Sequence, residues 1–324
     1  MKKNKSADMD RLGQDFQMVR KEISKFLLGQ SRVIDLTLTS VLAGGHALLV
    51  GLPGLGKTRL VNTIGQVLGL GAKRIQCTPD LMPADILGSE VLHQDGKGGR
   101  NFRFVKGPVF AQLLMADEIN RASPRTQSAL LEAMQEKRVT ISGHSHDLPK
   151  PFHVLATQNP LEQEGTYPLP EAQRDRFLMQ IDVGYPSAED EKKMVLETTG
   201  ADDQKPKVLF SAEQLMSLQQ QIKDMPVGEK VLERTIKLTT SLRPSDQPNE
   251  LTSHIEWGPG PRASQTLIAT AKAHAFLEGR PAPVVEDIDY LAIPVLKHRM
   301  AVTLSARADG RDAESLIKRA LQAI

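Results

Sequence analysis

Residues 51–58 read G-L-P-G-L-G-K-T, and glycines at that spacing ahead of Lys57 and Thr58 point to phosphate chemistry. Glycines let backbone N–H groups turn inward around phosphate oxygens, and the start of a following helix adds positive potential there. Lys57 can then reach the β- and γ-phosphates, and the Thr58 hydroxyl can ligate Mg2+. Gly51, Pro53, Gly54, Leu55, Gly56, Lys57, Thr58 and Arg59 are the candidate contacts to a nucleoside triphosphate. A Gly-rich turn can match such a pattern by chance. Against that, Ala47–Val50 ahead of the loop has the length of a buried strand, and Leu60, Ile64, Val67 and Leu68 behind it repeat at helical spacing.

A second chemical group is the run Leu113-Leu114-Met115-Ala116-Asp117-Glu118, an apolar strand ending in two carboxylates. Strand ends at the carboxyl edge of an open α/β sheet are where ligands bind. Asp117 would hold Mg2+ directly or through water, and Glu118 would polarise the attacking water as general base. The bland alternative, carboxylates as turn residues, weakens beside the phosphate loop. Val154-Leu155-Ala156 runs into Thr157-Gln158-Asn159-Pro160. An amide at that strand end can orient water, and Asn-Pro is equally a loop starter. Arg176 beside Phe177 suggests an anchored guanidinium projecting from the domain edge, able to neutralise charge at a neighbour's γ-phosphate. A solvated surface arginine or a carbonyl cap has the same local sequence.

These groups need a sheet to position them. Strand-like runs at Ala47–Val50, Arg74–Cys77, Leu113–Ala116, Val154–Ala156 and Leu178–Val183 alternate with helical patterns, most clearly Lys57–Leu68 and Pro124–Gln135. That alternation predicts a parallel sheet with helices on both faces. Two helices precede it, Asp8–Leu28 and Ser31–Leu42. Hairpins are expected between Leu87 and Gly107, with a turn at Gly96, Gly98 and Gly99, and across Arg138–Leu148, with a turn at Ser142–Ser145. Beyond Tyr185-Pro186 the strands stop and helices follow: Ser187–Thr199, Ser211–Lys223, Gly228–Leu242, Arg262–Glu278, Val285–Leu296 and one from Asp312. The expected division is an α/β nucleotide-binding domain at 1–185 and an all-helical domain at 186–324, with a polar linker at Thr198–Lys207.

Composition bounds the partners. The chain has 324 residues, 25% charged, with a net charge of +2, so no basic field favours nucleic acid. The single Cys77 excludes an internal disulfide, fits a reducing cytoplasm and reads as a buried hydrophobe. Met1-Lys2-Lys3-Asn4-Lys5 is basic, yet Asp8 and Asp10 follow without an apolar stretch, so no signal peptide is expected. No transmembrane segment is expected, because Gly44, Gly45, His46 and Pro53 break the longest apolar run. His144 and His146 lack a nearby acidic or Cys residue to complete a metal set and read as surface histidines. Arg121 and Arg125 are expected to face a neighbouring subunit or solvent.

The set G-x-x-G-x-G-K-T, L-L-M-A-D-E-I-N-R-A, L-L-E-A-M-Q-E, A-T-Q-N-P, Leu169-Pro170-Glu171-Ala172-Gln173 and Asp175-Arg176-Phe177 resembles the MoxR family of AAA+ ATPases across the whole chain. The resemblance implies a P-loop core with a C-terminal helical lid and ATP hydrolysis with Mg2+. It makes Asp117 and Glu118 the Walker B pair and Asn159 sensor 1. Arg176 becomes the arginine finger, with Arg174 two residues earlier as its rival. Arg262, in Gly258-Pro259-Gly260-Pro261-Arg262, becomes sensor 2 on the lid, with the nucleotide between core and lid. Leu87–Gly107 matches the family's helix-2 insert. A finger acting in trans requires a head-to-tail neighbour, and such contacts close into rings, here a hexamer. The resemblance further implies a chaperone-like role on client proteins, often with a von Willebrand factor A domain partner. A DNA-acting motor or a chelatase-type subunit is the alternative. A nucleotide-gated scaffold without turnover is disfavoured by Glu118.

Overall fold

In the computed structural model, residues 13, 15–94, 100–162, 165–198 and 205–324 are described. The glycine turn expected at Gly96, Gly98 and Gly99, the start of the first helix and most of the expected linker lie outside them. Helix α1 covers 15–24 and α2 covers Ser31–Leu42. Strand β1 (Ala47–Gly51) then leads through the glycine loop into α3 (Lys57–Val67). There follow β2 (Ala72–Gln76), the short α4 (Pro83–Leu87) and the hairpin β3 (Gly88–Gln94) with β4 (Arg100–Lys106). Next come β5 (Leu113–Asp117), α5 (Pro124–Glu136) and a second hairpin, β6 (Arg138–Ile141) with β7 (His144–Asp147). The core closes with β8 (His153–Gln158), α6 (Glu171–Arg174) and β9 (Met179–Val183).

Five strands form one parallel sheet in the order β2-β5-β8-β1-β9. Side chains alternate across a strand, so a sheet covered on both faces is apolar at every position. Strand β5 is the clearest case: Leu113 and Met115 enter one hydrophobic cluster, Leu114 and Ala116 the other. The second cluster packs under α4 and α5 through Ile86, Leu130, Leu131 and Met134, with Phe177 fully buried in it. Helix α5 starts where it does because the Ser123 hydroxyl accepts from the Thr126 amide and Pro124 occupies the first turn.

Helix α7 (Ala188–Thr198) follows the sheet, and the first cluster runs from the sheet through α2 and α3 into α8 (Ala212–Lys223), α9 (Glu229–Ser241), α10 (Pro261–Leu277), α11 (Val285–Leu296), α12 (Leu304–Ala308) and α13 (Ala313–Ala323). Phe16 of α1 meets Phe210 and Phe276 edge-on. The amino-terminal helices thus share a core with the helical lid as well as with the sheet. Ser211 and Asp312 cap α8 and α13 through their own side chains.

The lid is not wholly helical. Strands β10 (Ile255–Trp257) and β11 (Ala301–Val302) pair antiparallel. Runs of three and two residues are too short for a period-2 pattern, and the pairing joins segments more than forty residues apart. The Arg138–Leu148 hairpin turns tightly at Ser142-Gly143, with positive φ at both, rather than over four residues. Among the described residues no helix is long and apolar enough to cross a membrane.

Candidate functional site

Strand β1 delivers the glycine loop to the carboxyl edge of the sheet. Gly51 has no room for a side chain, since a Cβ there would lie 2.5 Å from the Val183 carbonyl oxygen on β9. Gly54 and Gly56 have φ of 82° and 77°, and Gly56 is the N-cap of α3. Left-handed backbone at both positions favours glycine and turns the loop back onto the helix start. Pro53, Gly54, Leu55, Gly56, Lys57, Thr58 and Arg59 line a cavity of about 390 Å³ whose opposite wall is Asp117, Glu118, Thr157 and Asn159. The structure therefore gathers the loop, the acidic pair and the amide in one place, with Gly51 behind them. The Lys57 ammonium donates to the Gly51 and Leu52 carbonyls, each at 2.6 Å. Burial lowers its pKa, and the nearby Asp117 and Glu118 oppose that shift.

Each carboxylate is held. Asp117 is buried at the end of β5; its Oδ1 accepts the Thr157 hydroxyl at 2.5 Å and its Oδ2 takes the Arg74 guanidinium at 2.5 and 3.2 Å. Glu118 leaves the strand with φ 54°, which turns its side chain out of the strand's alternation. Its amide donates to the Thr157 hydroxyl at 2.8 Å. Its carboxylate accepts from Gln76 at 3.0 Å and Arg121 at 3.1 Å. Arg121 also pairs with Glu162 at 3.5 Å, so within the chain its partners are two carboxylates, while its side chain stays partly exposed. The Asn159 side-chain Oδ1 accepts the Leu161 amide at 3.1 Å, the loop-starting role, while the residue also lines the cavity. Cys77 is buried under β5, and burial pushes its thiol up to about 12.

The arginines lie elsewhere. Arg176, in the turn after α6, lines a second cavity of about 220 Å³ together with Gly45, His46, Asp175, Leu178 and Arg262. Gly45 and His46 precede β1, so this cavity sits at the amino-terminal edge of the strand that ends in the phosphate loop. A five-residue strand separates the two by roughly 15 Å. Arg262 pairs with Asp175 at 3.3 Å and does not line the glycine-loop cavity. The sequence expectation that Arg262 stands over the phosphate loop is thus not met within one chain, because the lid docks it beside Asp175 instead. Arg174 lines neither cavity; its Nε is buried without a partner and Glu171 lies 3.9 Å away. Burial lowers its pKa. His146 stacks on Phe104 with ring centroids 4.1 Å apart, and His144 is exposed.

Sequence reasoning passed over Thr157, Arg74 and Gln76. The signal for Thr157 was slight: a hydroxyl residue one step beyond Ala156, which is in register with Ala116. Arg74 and Gln76 alternate on β2, whose Gln76 is in register with Asp117. Two polar residues spaced by two on a strand have meaning only once that strand's neighbour is known.

Comparison with known proteins agrees with this geometry. Residues 46–179 match the model of the ATPase family associated with various cellular activities, and residues 251–320 match that of the AAA lid domain. The chain is 41% identical to Chaperone MoxR1 of Mycobacterium tuberculosis, over 94% of this chain and 80% of that protein. It is 32% identical to the MoxR protein of Paracoccus denitrificans, with 88% of each covered. The crystal structure of a candidate ATPase from Cytophaga hutchinsonii superposes with a TM-score of 0.90 at 38% identity, over 100% of this chain and 99% of that one. With these relatives, a parallel sheet carrying the glycine loop on β1, carboxylates at the end of β5 two strands away and a helical lid, this chain belongs to the MoxR family of AAA+ ATPases.

Proposed function

We propose that this protein hydrolyses ATP with Mg2+ in a head-to-tail ring, a hexamer, and uses the cycle as a chaperone-like remodelling or maturation factor for partner proteins in the cytoplasm. The chaperone name of the mycobacterial relative supports the last step. A von Willebrand factor A domain protein is the partner class that the family resemblance favours. Residues 1–185 act as the nucleotide-binding domain and 186–324 as the lid.

Lys57 and the loop amides of Gly54–Thr58 bind the β- and γ-phosphates. Glu118 takes the proton from the attacking water, and Asn159 orients that water. Thr58 and Asp117, hard oxygen donors lining one cavity, fit Mg2+, which supplies charge neutralisation on the transferring phosphoryl group. Arg176, with Arg262 beside it, serves the neighbouring copy's nucleotide.

One observation carries the ring: Arg176 and Arg262 share a cavity at the opposite sheet edge from the phosphate loop of their own chain. Arginines so placed cannot serve their own site, whereas a translated copy would bring a loop to them. Two variants test the reading. Glu118→Gln retains ATP affinity while turnover drops on the order of a hundredfold or more, and Lys57→Ala weakens binding itself. Normal turnover in Glu118→Gln would remove Glu118 from the role of base. Mixing Arg176→Ala with Lys57→Ala protein then tests the ring, because mixed interfaces recombine an intact arginine with an intact loop. Full activity of Arg176→Ala alone, with loss on Arg174→Ala, would transfer the finger to Arg174.

A further inference from the structure

Arg299 is an arginine in an unusual place. It ends the short turn Lys297–Arg299 after α11 in the lid and is only 3% exposed. All five of its N–H donors have acceptors. Nε donates to Asp175 Oδ1 at 2.7 Å. One terminal nitrogen reaches the Asp175 and Phe177 carbonyls at 3.3 and 2.7 Å; the other reaches the Leu178 and Val295 carbonyls at 3.0 and 2.5 Å. The neighbouring His298, kept neutral by burial, adds a 3.1 Å bond from Nε2 to the Phe177 carbonyl.

Residues 175, 177 and 178 are therefore gripped from the lid, and the residue between them, Arg176, is left with no ion pair among the described residues. From the other side the turn is pinned by Phe177, which is fully buried in the core cluster. The grip extends to the second cavity arginine: Asp175 gives one oxygen to Arg299 and the other to Arg262. One carboxylate thus ties Arg262 to the buried fork, which holds Arg176 through the backbone on either side of it.

Stability alone does not call for this arrangement. A buried ion pair is on average no better than well-packed apolar residues, because two charges must leave water. A planar fork supplies orientation instead, since its donors fix several acceptors in one plane. Here four of the five acceptor contacts fall on Asp175, Phe177 and Leu178 beside the sheet, the fifth is Val295 of α11, and the donors belong to the lid.

We propose that Arg299 is a positioning residue for Arg176 and Arg262, holding the Asp175–Leu178 turn so that the pose of the lid sets where both guanidiniums stand at the neighbour's phosphates. This rests on the reading of Arg176 as a finger acting in trans. Lid movement driven by nucleotide in one subunit then moves that subunit's finger, which passes the state of one site to the next around the ring.

Arg299→Lys keeps the charge and loses the fork. In the assembled protein it should lower kcat on the order of ten- to a hundredfold, the range for a catalytic group displaced by about an ångström. KM for ATP should stay within about twofold, because the residues of its own phosphate loop are untouched. Mixing with Lys57→Ala protein should restore turnover, as it should for Arg176→Ala, since the Lys57→Ala subunit presents an intact arginine face. A merely structural defect would not be complemented in this way. Asp175→Asn keeps the carbonyl contacts and removes the charge shared by the two arginines. It should show a smaller loss with the same recovery, and it carries the test if Arg299→Lys does not fold. Parent-like kcat in these variants beside an inactive Arg176→Ala overturns the proposal, as does a loss that Lys57→Ala protein fails to complement. A fully active Arg176→Ala would instead sink the finger reading itself, and the proposal with it.

Discussion

The Gln76 amide donates a 3.0 Å hydrogen bond to the carboxylate of Glu118, across the gap between β2 and β5. Arg121 donates to the same oxygen at 3.1 Å. A carboxylate so engaged has less electron density to offer a water, and would have to be released to act as the general base proposed for it.

Gln76→Ala is expected to raise turnover in the absence of partner proteins about two- to fivefold. The hydrogen bond is to a charged acceptor but partly exposed, and Arg121 compensates for part of its loss. ATP affinity should not change. Steady-state hydrolysis with a parallel nucleotide titration decides it, and a clear fall in turnover would make Gln76 an aligner of Glu118 rather than a restraint.

Thr157 is fully buried, donates to Asp117 and accepts from the Glu118 amide. Thr157→Val preserves the shape and strands both partners. The expected cost is about 1–3 kcal/mol in unfolding free energy, and hydrolysis should fall further than folding explains, because the φ 54° turn at Glu118 loses its tether. Denaturant melts and kcat on the same preparation separate the two effects. Parent-like values for both would mean that the backbone alone holds the acidic pair.

DNA is expected to leave the hydrolysis rate unchanged at physiological salt. With a net charge of +2, little counterion release is available to drive binding. Single- and double-stranded DNA of several lengths should be compared. Length-dependent stimulation of several-fold would favour the motor reading over the chaperone-like one.

In the lid, Asp287 is buried between α10 and α11. Burial by itself would raise its carboxyl, but the Arg280 guanidinium, the His274 ring and the Val284 amide outweigh it and hold the pKa at about 2. A folded-state pKa below the unfolded value of about 3.9 adds stability above that value and loses it as pH falls toward 2. Asp287→Asn is therefore expected to lower stability by roughly 2 kcal/mol at pH 7, with the difference from the parent shrinking between pH 5 and pH 2. Thermal melts across that range are the check, and a difference independent of pH would assign the loss to packing.

Much of the site was legible because its chemistry is local. Glycines at 54 and 56 adopt positive φ, Lys57 and Thr58 open a helix, and Asp117 and Glu118 end an apolar strand, all within short stretches of chain. Helix limits were legible too: Pro124–Gln135 and Ser211–Lys223 were expected, and the helices run Pro124–Glu136 and Ala212–Lys223. What only the tertiary structure decided was adjacency. Arg74 meets Asp117 across 43 residues, and Arg299 meets Asp175 across 124. Those partners follow from the strand order β2-β5-β8-β1-β9 and from how the lid docks, neither of which leaves a periodic trace in sequence. The same docking carries Arg262 to the arginine cavity and away from its own phosphate loop, and packing inside the lid pairs β10 with β11. Local backbone preference determined which residues could do chemistry, and long-range packing of sheet and lid determined which of them meet.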